Sequence, residues 1–292
     1  MNRDRAQQVD QKEKDLQPRA YISHKELLLL LRDTDDPLDG STHLVLRTGF
    51  SMSRENQNRS KWLMTNKKIS HWFRARRKRT LLVNGNGTVS RITPMSFFCA
   101  MLIKSLASID SIVVLGHFCG LPHSGDTVDG VRRSEGSGLL RSLLTQLVQQ
   151  WKFGELTCLS KEDVEKLKRT GPDGSFSMEL HLFRTLVAAL PAGQPLFVIV
   201  DGINYFETGD AKADTKKVVE RLNALLDYGN VEALVKIFVT SATRSFEVSK
   251  YFEEDERVEV PPNITGSIAG FADSQFDWSF GHNVARLNDS SN

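Results

Sequence analysis

Five short apolar runs punctuate the chain after residue 79: "TLLVN" at 80–84, "SIVVLGHF" at 111–118, "LFVIVD" at 196–201, "VKIFVT" at 235–240 and "RVEV" at 257–260. Each is β-branched, short and bounded by turn residues, which predicts parallel strands covered on both faces. Between them, apolar positions recur at helical spacing over Pro94–Ala107, Gly138–Trp151, Ser177–Leu190, Asp214–Tyr228 and Ser245–Phe252. The second of these sets Leu139, Leu140, Leu143, Leu144, Leu147 and Trp151 on one stripe, the mark of a helix with a buried face. Pro191 stops the third. Strand and helix alternate throughout, so the pattern predicts an open, doubly wound α/β sheet with right-handed crossovers.

Ahead of the first strand the pattern changes. Ser23 followed by Glu26 is a capping box, and predicts a short helix over Ser23–Arg32. The stretch "DTDDPLDG" ends it. "HLVLRTGF" at 43–50 reads as a short strand, "SMSRENQNRS" after it as a loop, and Lys61–Arg79 as a helix with Trp62, Leu63, Ile69, Trp72 and Phe73 for packing. Residues 1–20 carry nine charges and few large apolar groups, as in a disordered lead-in. Residues 123–138 are too polar for a core and read as a mobile loop. The organisation expected is a lead-in at 1–20, a helical extension at 21–79, an α/β domain at 80–262 and a polar tail at 263–292. No internal repeat is visible.

Composition narrows the function classes. With 40% hydrophobic and 25% charged residues in 292, the chain can bury a large core. Its formal net charge of +2 gives no global attraction for polyanions. Cys99, Cys119 and Cys158 are odd in number and follow no metal-ligand or redox spacing, which suits a reducing intracellular, cytoplasmic setting. The five leucines of "ELLLLLR" fall far short of the roughly 20 apolar residues of a membrane span, and the amino terminus has no apolar signal core.

Three stretches carry candidate chemistry. "TLLVNGNGTVSRIT" has the outline of a phosphate loop, GxxxxGK[ST], whose glycine amides wrap phosphates while its lysine and hydroxyl serve the terminal phosphates and Mg2+. Counted from Gly85, with Asn86 and Gly87 after it, Ser90 takes the second glycine position, Arg91 the lysine and Ile92 the hydroxyl. Arg91 keeps a charge but not the compact ammonium, and Ile92 cannot bind magnesium. Thr93–Pro94 puts the helix start at Pro94. In "LFVIVDGINYFE", Asp201 sits where NTPases place the aspartate that orders the magnesium shell; the plainer reading is a residue capping a turn. Asn204 and Tyr205 follow where a water-positioning acid belongs, and Glu207 lies further on. "VKIFVTSATRS" ends in Thr240 and Ser241, at the end of a strand where open α/β sheets bind ligands.

The succession "WFRARRKRTLLVNGNG", "GLLRSLLTQLVQQW", "PLFVIVDGINYFE" and "VKIFVTSATRS" resembles the NACHT-type NTPase domain of fungal STAND signalling proteins, the nephrocystin-3-like amino-terminal group, over roughly residues 60–260. The resemblance implies a P-loop fold with strand order 257–260, 80–84, 235–240, 196–201, 111–118. It also implies an ATP- or GTP-binding switch, with Mg2+, that oligomerises with protein partners. By position, the candidate nucleotide-binding residues are Gly85, Asn86, Gly87, Ser90, Arg91, Asp201 and Thr240. Of the family's chemistry only Gly85 and Asp201 match; Arg91 is a substitution in kind, Ser90, Ile92, Asn204 and Tyr205 are departures, and Ala242 stands in place of an arginine. Losses at all three stations imply a fold kept and a catalysis lost, and hence an interaction scaffold. Full-length members continue into winged-helix and repeat modules, for which residues 263–292 are too short.

The basic run Arg74, Arg76, Arg77, Lys78 and Arg79 leaves one alternative, nucleic-acid binding or nuclear import. Its plainer reading is a solvated helix end, where cations complement the helix dipole. Neither HExxH nor GxSxG occurs, so zinc-protease and hydrolase-elbow chemistry is not indicated.

Overall fold

The fold is taken from a computed structural model that describes residues 22–31, 38–122, 127–128, 131–132, 135–153, 161–168, 176–207, 209, 211–227 and 229–264. The lead-in at 1–20, Cys158 and nearly all of the tail lie outside these residues. The elements in chain order are α1 (His24–Leu31), α2 (Leu38–Phe50), α3 (Arg54–Thr65), α4 (Lys67–Arg74), β1 (Arg79–Asn84), α5 (Pro94–Ala107), β2 (Val113–Phe118), β3 (Thr127–Val128), β4 (Val131–Arg132), α6 (Glu135–Gln150), α7 (Lys161–Lys168), α8 (Phe176–Ala188), β5 (Pro195–Asp201), α9 (Ala211–Asp227), β6 (Leu234–Ser241) and β7 (Arg257–Glu259).

All five long-range strands are parallel, in the order β2-β5-β6-β1-β7. This is the order implied by the resemblance. Successive strand residues point to opposite faces, and the core divides accordingly. Leu82, Leu115, Val198 and Ile237 join one cluster with α1, α6, α8 and α9. Leu81, Val83, Phe197, Ile199 and Phe238 join a second with α2 to α5. The strands read as unbroken apolar runs because both faces are covered.

Helix α5 explains the amino-terminal helices. Every residue from Met95 to Ile103 is buried, and a helix that is apolar all round needs cover on every side. The sheet covers one side of α5, and α2 and α3 cover the other. Segment 43–50 is therefore helix, not strand: Ser41, Thr42, Val45, Leu46 and Gly49 form the buried stripe of α2, while Leu44 is exposed. At Gly49 the contact is so close that a Cβ would lie 2.0 Å from Phe97 Cδ2. Segment 51–60 is largely helix as well, begun by the Ser53 side chain accepting from the Asn56 amide. The predicted helix over 61–79 breaks at Asn66, whose Oδ1 caps α4. α4 ends at Arg74, so the basic run begins on the last residue of that helix, as in the helix-end reading, and continues through the connection to Arg79, the first residue of β1. Arg74, Arg76 and Arg77 are exposed there, and Lys78 and Arg79 are half-buried.

The capping box at Ser23 and Glu26 forms as expected, and the predicted α5 has its expected ends. Within 123–138, β3 and β4 make a two-residue antiparallel hairpin and α6 starts already at Glu135. Over 245–252 only a 3-10 turn, Val248–Tyr251, forms. Helix α7 was not anticipated.

Two buried basic side chains join elements distant in sequence. Arg141 on α6 donates to Glu179 on α8 at 2.7 Å and to the Leu30 carbonyl of α1 at 2.7 Å, with side chains 3% and 0% exposed for Arg141 and Glu179. Lys236 lies in mid-β6, between Arg79 and Phe197 in register. Its Nζ donates to the Trp72 carbonyl at 2.9 Å and to that of Ala75, capping the end of α4. Trp72 packs against Phe238 at 5.1 Å between ring centroids and against Phe197 at 6.0 Å. Burial, then the charges of Arg79 and Arg77, push the Lys236 ammonium down to about 7.

Two outcomes are expected. Glu179→Leu strands the Arg141 guanidinium and costs about 3–5 kcal/mol in urea unfolding, and adding Arg141→Met recovers most of it. For Lys236, the unfolded chain keeps the proton up to its ordinary 10.5 while the folded chain releases it near 7. Between these values the unfolded state binds more protons, so stability contributed by this group rises with pH. Relative to Lys236→Met, the wild type therefore gains stability between about pH 7 and the lysine's ordinary 10.5; a constant difference would refute the shift.

Candidate nucleotide site at the carboxyl edge of the sheet

The carboxyl ends of β1, β5 and β6 meet at one edge, and the loop 85–93 leaves β1 there. Asn84 anchors its start. The Asn84 carbonyl accepts from Val260 at 2.8 Å, its Oδ1 from the Ser245 amide at 3.0 Å, and its Nδ2 donates to Glu259 at 2.7 Å. Beyond it the loop does not curl over an open cradle. The Gly85 amide donates to the Ser241 carbonyl at 2.8 Å and that of Gly87 to the Ala242 carbonyl at 3.0 Å. Asn86 between them takes a left-handed conformation, φ 48°, which asparagine tolerates well, and its Nδ2 donates to Glu259 and the Val260 carbonyl. Arg59 on α3 donates to the carbonyls of Gly85 and Pro262. A Cβ on Gly85 would lie 2.3 Å from Met95 Cε and 2.7 Å from the Ala242 oxygen, so protein atoms already fill the space against this glycine.

The start of α5 is equally occupied. A helix amino terminus offers four amides to an anion. Here Thr93 donates its amide to Ser96 Oγ at 2.9 Å, Pro94 has none, and the Ser96 amide goes to Thr93 Oγ1 at 3.1 Å. Only Met95 is outside this capping box. Ser90 and Arg91 are exposed, and Ile92 packs at the edge of the second core cluster. At Arg91 the loop leans toward the end of β2, where the Arg91 carbonyl would stand 2.5 Å from a Cβ on Gly120.

Asp201 lies deeper, 2% exposed. Thr240 Oγ1 donates to its Oδ1 at 2.6 Å and accepts from the Gly202 amide at 3.1 Å. Burial pushes the carboxyl up to about 6, against the hydrogen bonds from Thr240 and Ser96. Burial, then the Asp201 charge, also holds the Cys99 thiol well above its ordinary value. Asn204 Oδ1 accepts from the Ala242 amide at 2.8 Å. Glu207 Oε1 accepts from Ser245 Oγ at 2.6 Å and from the amides of Glu247 and Val248. Both side chains hold the β6 loop in place.

Of the residues singled out in the sequence, Gly85, Asn86, Gly87, Asp201 and Thr240 gather at this edge, while Ser90 and Arg91 lie on the exposed part of the loop. The hydroxyls beside Asp201 are those of Thr240, which donates to it, and of Ser96; position 92 supplies none. The signal was the spacing Thr93-x-x-Ser96, a capping box closed by serine in place of Glu or Gln. A cavity of about 200 Å³ lies between the loop and α3, lined by Arg59, Thr88, Ser90, Ile92 and Met95. This is below the roughly 300 Å³ at which small-molecule pockets begin. Among the described residues, no cluster of three or more His, Cys, Asp or Glu is placed to hold a metal, and no helix is long and apolar enough to cross a membrane.

The Asp201 environment sets a pH dependence. The folded carboxyl keeps its proton up to about 6, against 3.8 ordinarily. Stability from this group is therefore fully present below about pH 4 and is lost as pH rises through 6. Asp201→Asn should raise stability at about pH 7.5 by about 2–3 kcal/mol, since each tenfold change in proton affinity is worth about 1.4 kcal/mol, and should leave it unchanged near pH 4. An equal gain at both pH values would disprove this ionisation.

No curated protein matches the chain. Residues 58–242 match the family described as "Nephrocystin 3, N-terminal". That span runs from mid-α3 through the end of β6, more than half of the chain, and takes in the loop, Asp201 and Thr240. With the five-stranded parallel order of a P-loop NTPase-like fold, the chain belongs to the nephrocystin 3 N-terminal family.

Proposed function

We propose that this chain is a catalytically impaired NTPase-fold protein that works as an interaction or signalling scaffold. The observation that carries the reading is the hydrogen bonding of Gly85 and Gly87 to the carbonyls at the end of β6. Phosphoryl transfer is catalysed by positioning and charge, and it needs a cradled phosphate, a bound Mg2+ and an oriented water together. The loop amides are engaged by protein, Met95 fills the space at Gly85, and Arg91 stands on an exposed loop. Asn204, where the water-positioning acid belongs, is engaged by Ala242. Losing one stabilising group costs on the order of 100-fold in rate, and here the losses compound. The residues present do not fit a magnesium nucleotide.

The same edge offers a surface to protein partners. Phe246 is 72% exposed and Val89 60% exposed. Phe246 is held out by its neighbours, since Ser245, Glu247 and Val248 are all bonded to Glu207. A preorganised exposed aromatic is the residue type that anchors interfaces. A second reading, a nucleotide-responsive switch with an atypical loop, is favoured by one observation: the Ser96 hydroxyl stands beside Asp201, as a magnesium-binding pair would.

Phosphate release with Mg2+ and ATP or GTP should stay at background in wild type and in Asp201→Ala alike. Turnover near the roughly 1 s⁻¹ of a slow ordinary enzyme, abolished by that substitution, would overturn the proposal. Thermal melting with millimolar Mg-ATP or Mg-GTP should not move. A rise in midpoint that Ser96→Ala removes would establish the second reading instead.

A further inference from the structure

Between Glu55 and Asp110 the chain has eleven lysines and arginines and no aspartate or glutamate. The near-balance of 38 basic and 36 acidic residues overall hides this segment. The fold gathers part of it into one strip. Lys67, His71 and Arg74 stand at i, i+4 and i+7 of α4, all exposed, and so share one face of the helix. Arg76 and Arg77 continue the strip through the connection to β1 and are exposed as well. Among the described residues, Arg74, Arg76 and Arg77 pair with no acid, whereas Arg79 has Asp255 at 3.9 Å.

The helix dipole does not account for these charges. Cations favour a helix carboxyl terminus because its last carbonyls are unsatisfied. At α4 the carbonyls of Trp72 and the capping Ala75 already accept from the Lys236 ammonium. The arginines work against that cap: after burial, the charges of Arg79 and Arg77 are what hold the Lys236 ammonium down. Local contacts also fix the strip in place. The Ala75 amide donates to the His71 carbonyl at 3.0 Å, and Trp72 Nε1 to the Arg79 carbonyl at 3.2 Å. Positive charge is thus concentrated at a cost to the fold, the arrangement expected where a ligand supplies the missing negative charge.

The occupant is defined by what the strip lacks. The exposed large apolar side chains Leu29, Leu44, Phe50, Val89 and Phe246 all lie off α4 and its connection to β1, and Trp72 and Phe73 are buried. A peptide or a bilayer would find no apolar anchor, and a single strand no aromatic on which to stack its bases. The strip is also narrow. Glu253, Glu254, Asp255 and Glu256 run along one flank, where Lys68 Nζ donates to the Glu254 carbonyl at 3.2 Å. A flat anionic surface would meet these acids too, whereas a strand-like polyanion can follow the cations alone. The planar fork of arginine suits phosphate in particular. From Lys67 to Arg74 the helix rises about 10 Å, a distance over which a duplex presents about six phosphate charges.

We propose that the exposed strip of Lys67, His71, Arg74, Arg76 and Arg77 is a docking surface for the phosphate backbone of a nucleic-acid duplex, bound without regard to sequence. The three arginines and Lys67 each neutralise one phosphate.

The test measures binding of the protein to a labelled DNA duplex by fluorescence anisotropy. At about 50 mM salt the dissociation constant should lie at or below roughly 10⁻⁴ M, as in non-specific binding. With four phosphates neutralised, affinity should fall roughly 100-fold between about 50 and 200 mM salt. Changing Arg74, Arg76 and Arg77 together to alanine should weaken binding roughly tenfold or more and flatten the log–log salt slope by about 2.7. Lysine at the same three positions keeps the charge and should keep the slope. All three side chains are exposed, so circular dichroism of both variants should match wild type. If the alanine variant unfolds, Arg76→Glu alone gives the same readout. An undetectable wild-type complex, or an alanine variant that binds as wild type does, would overturn the proposal. So would tighter binding to phosphatidylserine vesicles or to polyglutamate at the same salt, which would assign the strip to a membrane or to an acidic protein.

Discussion

The hydrogen bonds from Gly85 and Gly87 to the carbonyls of Ser241 and Ala242 govern the carboxyl edge of this protein. They extend the β1–β6 ladder past the strand ends, so the loop runs along the sheet before it turns into α5. Everything nearby follows from that path. Met95 settles against Gly85, Thr93 and Ser96 cap α5 between themselves, and Arg91 is carried outward. An amide already bonded to a carbonyl has nothing to give a phosphate unless the ladder opens, and opening it would strand two backbone carbonyls.

Buried polar groups bind the rest of the core into one unit. Lys236 under the end of α4, Arg141 between α1, α6 and α8, and Asp201 under Thr240 and Ser96 each join elements distant in sequence. Such groups are costly to bury, and removing one partner costs more than the pair contributes. Each makes its hydrogen bonds only in this arrangement of the helices around the sheet. Gln146 and Gln150 act in the same manner at β2, where a carboxamide replaces a missing strand.

Much of the fold was legible in the sequence, because burial on two faces writes an unbroken apolar run and burial on one face writes a helical stripe. The strands, α5 and α6 were read on that basis, and the Ser23–Glu26 cap from its residue spacing. Segment 43–50 was not. Its Leu44-Val45-Leu46 triplet suits a strand as well as a helix, and packing on α5, with Gly49 against Phe97, decides for the helix. Lys236 also escaped, since a lysine in an apolar strand gives no hint that it caps a helix far earlier in the chain.

For the site, the sequence by itself determined which chemical groups are present: the glycines, Asp201 and Thr240, and the lack of a loop lysine. Tertiary structure decided what those groups do. Whether a glycine amide faces a ligand or a neighbouring strand depends on the path of the loop, and that path is set by β6, far downstream in the chain. Counting from the first glycine therefore placed the hydroxyl at position 92, whereas the helix cap brings Ser96 to Asp201. Hydrogen bonds are short and directional, so their partners are chosen by position in space, which local sequence patterns do not encode.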